Sequence, residues 1–88
     1  MAERTVSIGS SHGLHARPAA LFTQAASQAG MPVQITKGAK KANAASILGV
    51  ISLGIDHGDE VVLSADGENA EVVLEELAGM LEADMDQA

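Results

Sequence analysis

One segment of this chain is punctuated at both ends, by Pro18 where a helix opens and by Gly30 and Pro32 where it closes. Proline suits a first helical turn, because its missing N–H would have had no intrahelical partner and its fixed φ already fits. Between these marks residues 16–29 are Ala-rich and helix-forming, with Leu21, Phe22, Ala25, Ala26 and Ala29 spaced to line one inward face. Gly30 suits the left-handed cap and Pro32 blocks continuation, so the helix is expected to end near Ala29. On either side the period changes to two. Residues 2–8 put Ala2, Val6 and Ile8 on one side and Glu3, Thr5 and Ser7 on the other, with Arg4 breaking the apolar side. Val33 and Ile35 likewise alternate with Gln34 and Thr36. Both stretches read as half-buried strands.

Further along, Lys37-Gly38-Ala39-Lys40 reads as a hairpin turn into a short strand around Lys40–Asn43. Glu60–Asp66 is a further strand, with Val61, Leu63 and Ala65 facing inward. Ala70, Val73, Leu74, Leu77 and Leu81 follow the spacing of a closing amphipathic helix. The run Ile47–Leu53 is too short for periodicity to decide between strand and helix. Ser46 before it is a good N-cap, which favours a short helix stopping near Gly54. The element order is then β-α-β-β-α-β-α. At 88 residues there is room for a single domain, taken as residues 1–88. Phe22 is its only aromatic residue, so the core must be built from Val, Ile, Leu, Ala and Met.

Charge narrows the function classes. The formal net charge is −7, yet all five basic residues precede Ala42 and eleven of the twelve acids follow it. Overall acidity with almost no aromatic surface for base stacking argues against nucleic-acid binding. The Lys37–Lys41 cluster is expected to be a solvated turn with a local positive potential. No cysteine is present, so no disulfide, thiol chemistry or cysteine zinc site is expected. The first residues lack the pattern of a signal peptide, and no apolar run approaches the roughly 20 residues needed to cross a bilayer. A cytoplasmic protein is expected.

The chemistry concentrates in Gly13-Leu14-His15-Ala16-Arg17-Pro18-Ala19. His15 falls at or just before the helix start, where backbone N–H groups lack intrahelical partners and the dipole favours an anion. Arg17 adds a guanidinium that can grip phosphate oxygens through several hydrogen bonds. Both positive features disfavour imidazolium, so the His15 pKa is expected to be lowered and the neutral ring to be available as a nucleophile toward phosphorus.

These seven residues resemble the active-site segment of HPr, the histidine-containing phosphocarrier family of the bacterial sugar phosphotransferase system. Asn43-Ala44-Ala45-Ser46-Ile47-Leu48-Gly49-Val50-Ile51-Ser52-Leu53-Gly54 resembles the family's other hallmark, and the spacing and total length also fit. The resemblance implies an α+β fold, an open-faced β-sandwich with a four-stranded antiparallel sheet and three helices on one face. It implies a phosphocarrier that takes a phosphoryl group from enzyme I on His15, at Nδ1, and passes it to the IIA component of a sugar permease. Arg17 would steady the phosphate in both transfers, with the backbone N–H groups of Ala16 and Arg17 as helix-terminal donors. No cofactor and no metal at His15 is implied, the chain alone should turn nothing over, and a monomer is expected.

Three other positions carry secondary readings. Ser46 is read as an N-cap; the resemblance adds regulatory phosphorylation there by a serine kinase, although Ala45 stands where many regulated relatives have Lys. Ile47, Leu48 and Ile51 belong to a run that is partly core, but a short helix cannot bury every side. Exposed members beside Arg17 would make a small apolar docking patch, and the family implies that this helix and the first one form the partner interface. His12, where many relatives carry a small polar residue, invites a metal reading with His15 that no cysteine or nearby carboxylate supports. His57 is expected to be an exposed loop residue. The alternatives are a relay paralogue serving nitrogen regulation or a dihydroxyacetone kinase, and a regulatory binding protein controlled through Ser46. The family's regulatory paralogues typically lack the active histidine.

Overall fold

An amphipathic strand is stable only when something covers its apolar side, and here the helices do so. The computed structural model describes residues 2–10, 13 and 16–83. Its elements in chain order are β1 (Ala2–Ser7), α1 (Ala16–Ser27), β2 (Val33–Lys37), β3 (Lys40–Asn43), α2 (Ile47–Ser52), β4 (Glu60–Ala65) and α3 (Ala70–Glu82). This is the order expected from the sequence. The strands form a four-stranded antiparallel sheet ordered β1-β4-β2-β3.

Register puts the apolar residues side by side. Val6 pairs with Val61, Ile35 with Leu63 and Val33 with Ala65, and all six are buried. They share one core with Ala19, Phe22 and Ala26 of α1, Val50 of α2, and Leu74, Leu77, Ala78 and Leu81 of α3. The alternate strand residues Thr5, Ser7 and Gln34 are exposed, so the opposite face of the sheet meets solvent. The result is the open-faced sandwich, with small side chains at Ala19, Ala26 and Ala78 letting the helices approach closely. Phe22 is fully buried, and burying a side chain of that size contributes about 1.5–3 kcal/mol.

Several details differ from the sequence expectation. α1 ends at Ser27 rather than Ala29, because the last turn tightens. The Gln28 N–H is shared between the Gln24 and Ala25 carbonyls, and Ala29 N–H donates to Ala26, all at 3.2 Å. Gly30 then takes a φ of +80°, the left-handed cap. β1 stops one residue short of Ile8, although the Ile8 N–H still donates to the Asp59 carbonyl at 2.9 Å. β4 stops at Ala65, one residue before Asp66. Leu21, expected to face inward, is 42% exposed. Pro18, Ala19, Phe22 and Ala26 already fill the buried arc of α1, which leaves Leu21 on the opposite side.

Lys37 is not part of a solvated turn. It closes β2 and reaches across to the chain before β4, while Gly38, at φ +59°, and Ala39 make the two-residue turn. Among the described residues no helix is long and apolar enough to cross a membrane.

Candidate functional site

The helix start falls where the sequence required it. α1 opens at Ala16, the residue that follows His15 in the chain. His15 and His12, the side chain of Ala16 and the acidic tail after residue 83 lie outside the described residues. The rest of the neighbourhood can be built up in detail. Pro18 is buried in the first turn and Arg17 is exposed. That turn contains no acidic residue, so no carboxylate on it competes with a bound anion. Its N–H groups, those of Ala16 and Arg17 among them, have no carbonyl four residues back within the helix.

Two backbone anchors hold the loop leading into α1. Gly9 donates its N–H to the Leu81 carbonyl at 2.8 Å, satisfying an acceptor at the C-terminal end of α3. A Cβ on Gly9 would overlap the Glu82 carbonyl, so only glycine permits this approach. Gly13 donates to the Ser10 carbonyl at 3.0 Å and has a φ of +75°. It backs directly onto Ile55 and Asp56, with no space for a side chain. Gly13, two residues before His15 in the chain, is thus seated on the segment between α2 and β4.

That segment is itself tied down. The Lys37 ammonium donates to the Gly54 carbonyl at 2.6 Å and pairs with the Asp59 carboxylate at 2.9 Å. The same carboxylate oxygen accepts the Asp56 N–H at 2.8 Å. Gly58 N–H donates to Ile8 and Ile8 N–H to Asp59, both at 2.9 Å. The Asp56 N–H and the Lys37 ammonium together hold the Asp59 carboxyl below its usual value, against an opposing effect of desolvation. His57 is exposed in the same loop, as expected.

α2 packs on α1 and supplies the apolar patch. Ser46 caps it, its Oγ accepting the Gly49 N–H at 3.2 Å from an extended backbone. A Cβ at Gly49 would sit 3.2 Å from Ala42 Cβ and 3.3 Å from Ser46 Oγ, so glycine lets helix, strand and cap meet closely. One side of α2 turns inward through Val50, followed by Leu53. The other presents Leu48 at 79% exposure, with Ile47 and Ile51 at about 40%. The exposed side of α1 runs Arg17, Ala20, Leu21 and Gln24. Leu21 lies four residues after Arg17, on the same helix face.

Sequence reasoning missed Leu21 as an exposed residue, and it missed Lys37 and Asp59 as supports. The first left no decisive signal, since α1 carries apolar residues around much of its circumference. The second left no local signal, since the partners are 22 positions apart.

Comparison with known proteins places this arrangement. A family profile described as "PTS HPr component phosphorylation site" matches residues 2–83. The phosphocarrier protein HPr of Streptomyces coelicolor is 50% identical over 82 residues, covering 92% of this chain and 88% of that protein. A crystal structure of HPr-C-His from Thermoanaerobacter tengcongensis superposes with a TM-score of 0.91 at 42% identity, covering 100% of this chain and 99% of that one. Crh of Bacillus subtilis, a catabolite repression protein solved as a domain-swapped dimer, gives a TM-score of 0.73 at 43% identity over 93% and 94% of the two chains. A monomer is therefore not universal among relatives. The fold, the motif-bearing loop on its glycine anchors and these matches lead to one conclusion: the chain belongs to the HPr family of phosphotransferase-system phosphocarriers.

Proposed function

We propose that this chain carries phosphoryl groups in phosphoenolpyruvate-dependent sugar uptake in the cytoplasm, accepting them from enzyme I on His15 and donating them to IIA components. The observation that carries this reading is the start of α1 at Ala16, one residue after His15, with exposed Arg17 and no acid in the first turn. In the transfer step the Nδ1 lone pair of neutral His15 attacks the phosphorus of the donor's phosphohistidine. A new N–P bond forms while the donor's N–P bond breaks and its electron pair returns to the donor imidazole. Each ring keeps the proton on its far nitrogen. The Arg17 guanidinium and the first-turn amides offset the charge on the phosphoryl oxygens in both directions. Exposure of Arg17 suits a carrier that must release what it binds.

Docking falls to Leu48, Ile47 and Ile51 with Leu21, an apolar surface small enough for transient contact with several partners. Incubation with enzyme I and radiolabelled phosphoenolpyruvate should give an acid-labile label that His15→Ala abolishes. Retained label in that variant defeats the proposal.

A second reading, regulation through Ser46, draws on one observation. Ser46 is half-exposed at the start of α2, two residues from the most exposed apolar side chain of the patch. A phosphate there would be tolerated electrostatically by the helix and would add negative charge beside the docking surface.

A further inference from the structure

We infer that Lys37 and Asp59 are positioning residues for phosphoryl transfer, acting through the backbone floor beneath Gly13, two residues before His15 in the chain; this rests on the reading of His15 as the acceptor. Gly13 can approach Ile55 and Asp56 only because it lacks a side chain, so the height of residues 54–56 sets where Gly13 sits. Neither α2 nor β4 contains these residues. The buried Ile55 side chain, the Gly54 N–H on the Ile51 carbonyl and the Asp59 N–H on the Asp56 carbonyl hold them in part. The Lys37 ammonium on the Gly54 carbonyl and the Asp59 carboxylate on the Asp56 N–H, joined by the 2.9 Å ion pair, complete the support. Asp59 also accepts the Ile8 N–H through its carbonyl, so one residue fixes both the floor and the strand that leads into the loop. The two side chains are about one-third exposed, so they are not core residues whose loss would unfold the chain.

In-line attack depends on the nucleophile's placement, and a shift of about 1 Å can cost roughly 100-fold. Losing the Lys37 contacts lets the floor relax by less than that, so a loss of about tenfold is expected. The test uses the full chain and a partner-free donor, phosphoramidate, with phosphohistidine followed by phosphorus NMR and the Gly13 amide by proton–nitrogen NMR. Lys37→Met should fold, label His15 about tenfold more slowly and shift the Gly13 amide, and Lys37→Arg should restore both. A folded Lys37→Met in which either readout stays at the wild-type value overturns the inference. Asp59→Asn provides the same two readouts should Lys37→Met not fold. Wild-type chain that takes no label on His15 defeats the acceptor reading instead, and the Gly13 amide then still decides whether Lys37 sets the loop.

Discussion

Gly13 lies so close to Asp56 that a Cβ on it would stand 2.7 Å from the Asp56 Cα. No real side chain tolerates that distance, and the φ of +75° adds its own penalty for any other residue. Gly13→Ala should therefore destabilise the fold by about 3 kcal/mol in urea unfolding. It should also slow labelling of His15 under conditions where the variant is folded, because the seat of the loop has moved.

Exposure separates the proposed docking surface from the core. Leu48→Ala should leave urea stability within about 0.5 kcal/mol of wild type. Phe22→Ala, at a fully buried site, should cost about 3–5 kcal/mol. Leu48→Ala should nonetheless raise the KM for transfer from enzyme I while leaving chemical labelling by phosphoramidate unchanged.

Most of the architecture could be read from local chemistry. Pro18, Gly30 and Pro32 bounded α1, Ser46 turned an ambiguous apolar run into α2, and period-two alternation marked the strands. These signals work because caps and alternation act within a few residues. Leu21 was misread for a different reason. α1 is apolar around much of its circumference, and spacing alone does not say which arc meets the sheet. The Lys37–Asp59 support was illegible because the β2–β4 pairing brings the two together. Without that pairing, Lys37 is simply one of three lysines near a turn.

Ser46 contributes a helix cap and, on the second reading, a control point, and the two roles respond differently to substitution. Ser46→Ala removes the acceptor for the Gly49 N–H and should cost about 1 kcal/mol. Ser46→Asp keeps an acceptor at the N-cap, so stability should hold in the same urea titration. Transfer from enzyme I should fall in the Asp variant alone.

The lowered Asp59 pKa makes part of the stability depend on pH. A carboxyl whose folded pKa lies below its unfolded value stabilises the fold above the unfolded value of about 3.9, and that contribution is lost as pH falls through the folded value. Wild type should therefore exceed Asp59→Asn in urea midpoint at pH 7. The gap should close on acidification through the carboxylate range. A gap that widens in acid would contradict the assigned ion pair and hydrogen bond.

The central claim is that His15 is the phosphoryl acceptor at the opening of α1. Its most direct test is mass spectrometry of the chain after incubation with enzyme I and phosphoenolpyruvate, with fragmentation at neutral pH to locate the modification. A single acid-labile phosphate on His15 is the predicted result. Phosphate on His12 or His57, or an acid-stable phosphate on a serine with His15 unmodified, would contradict it.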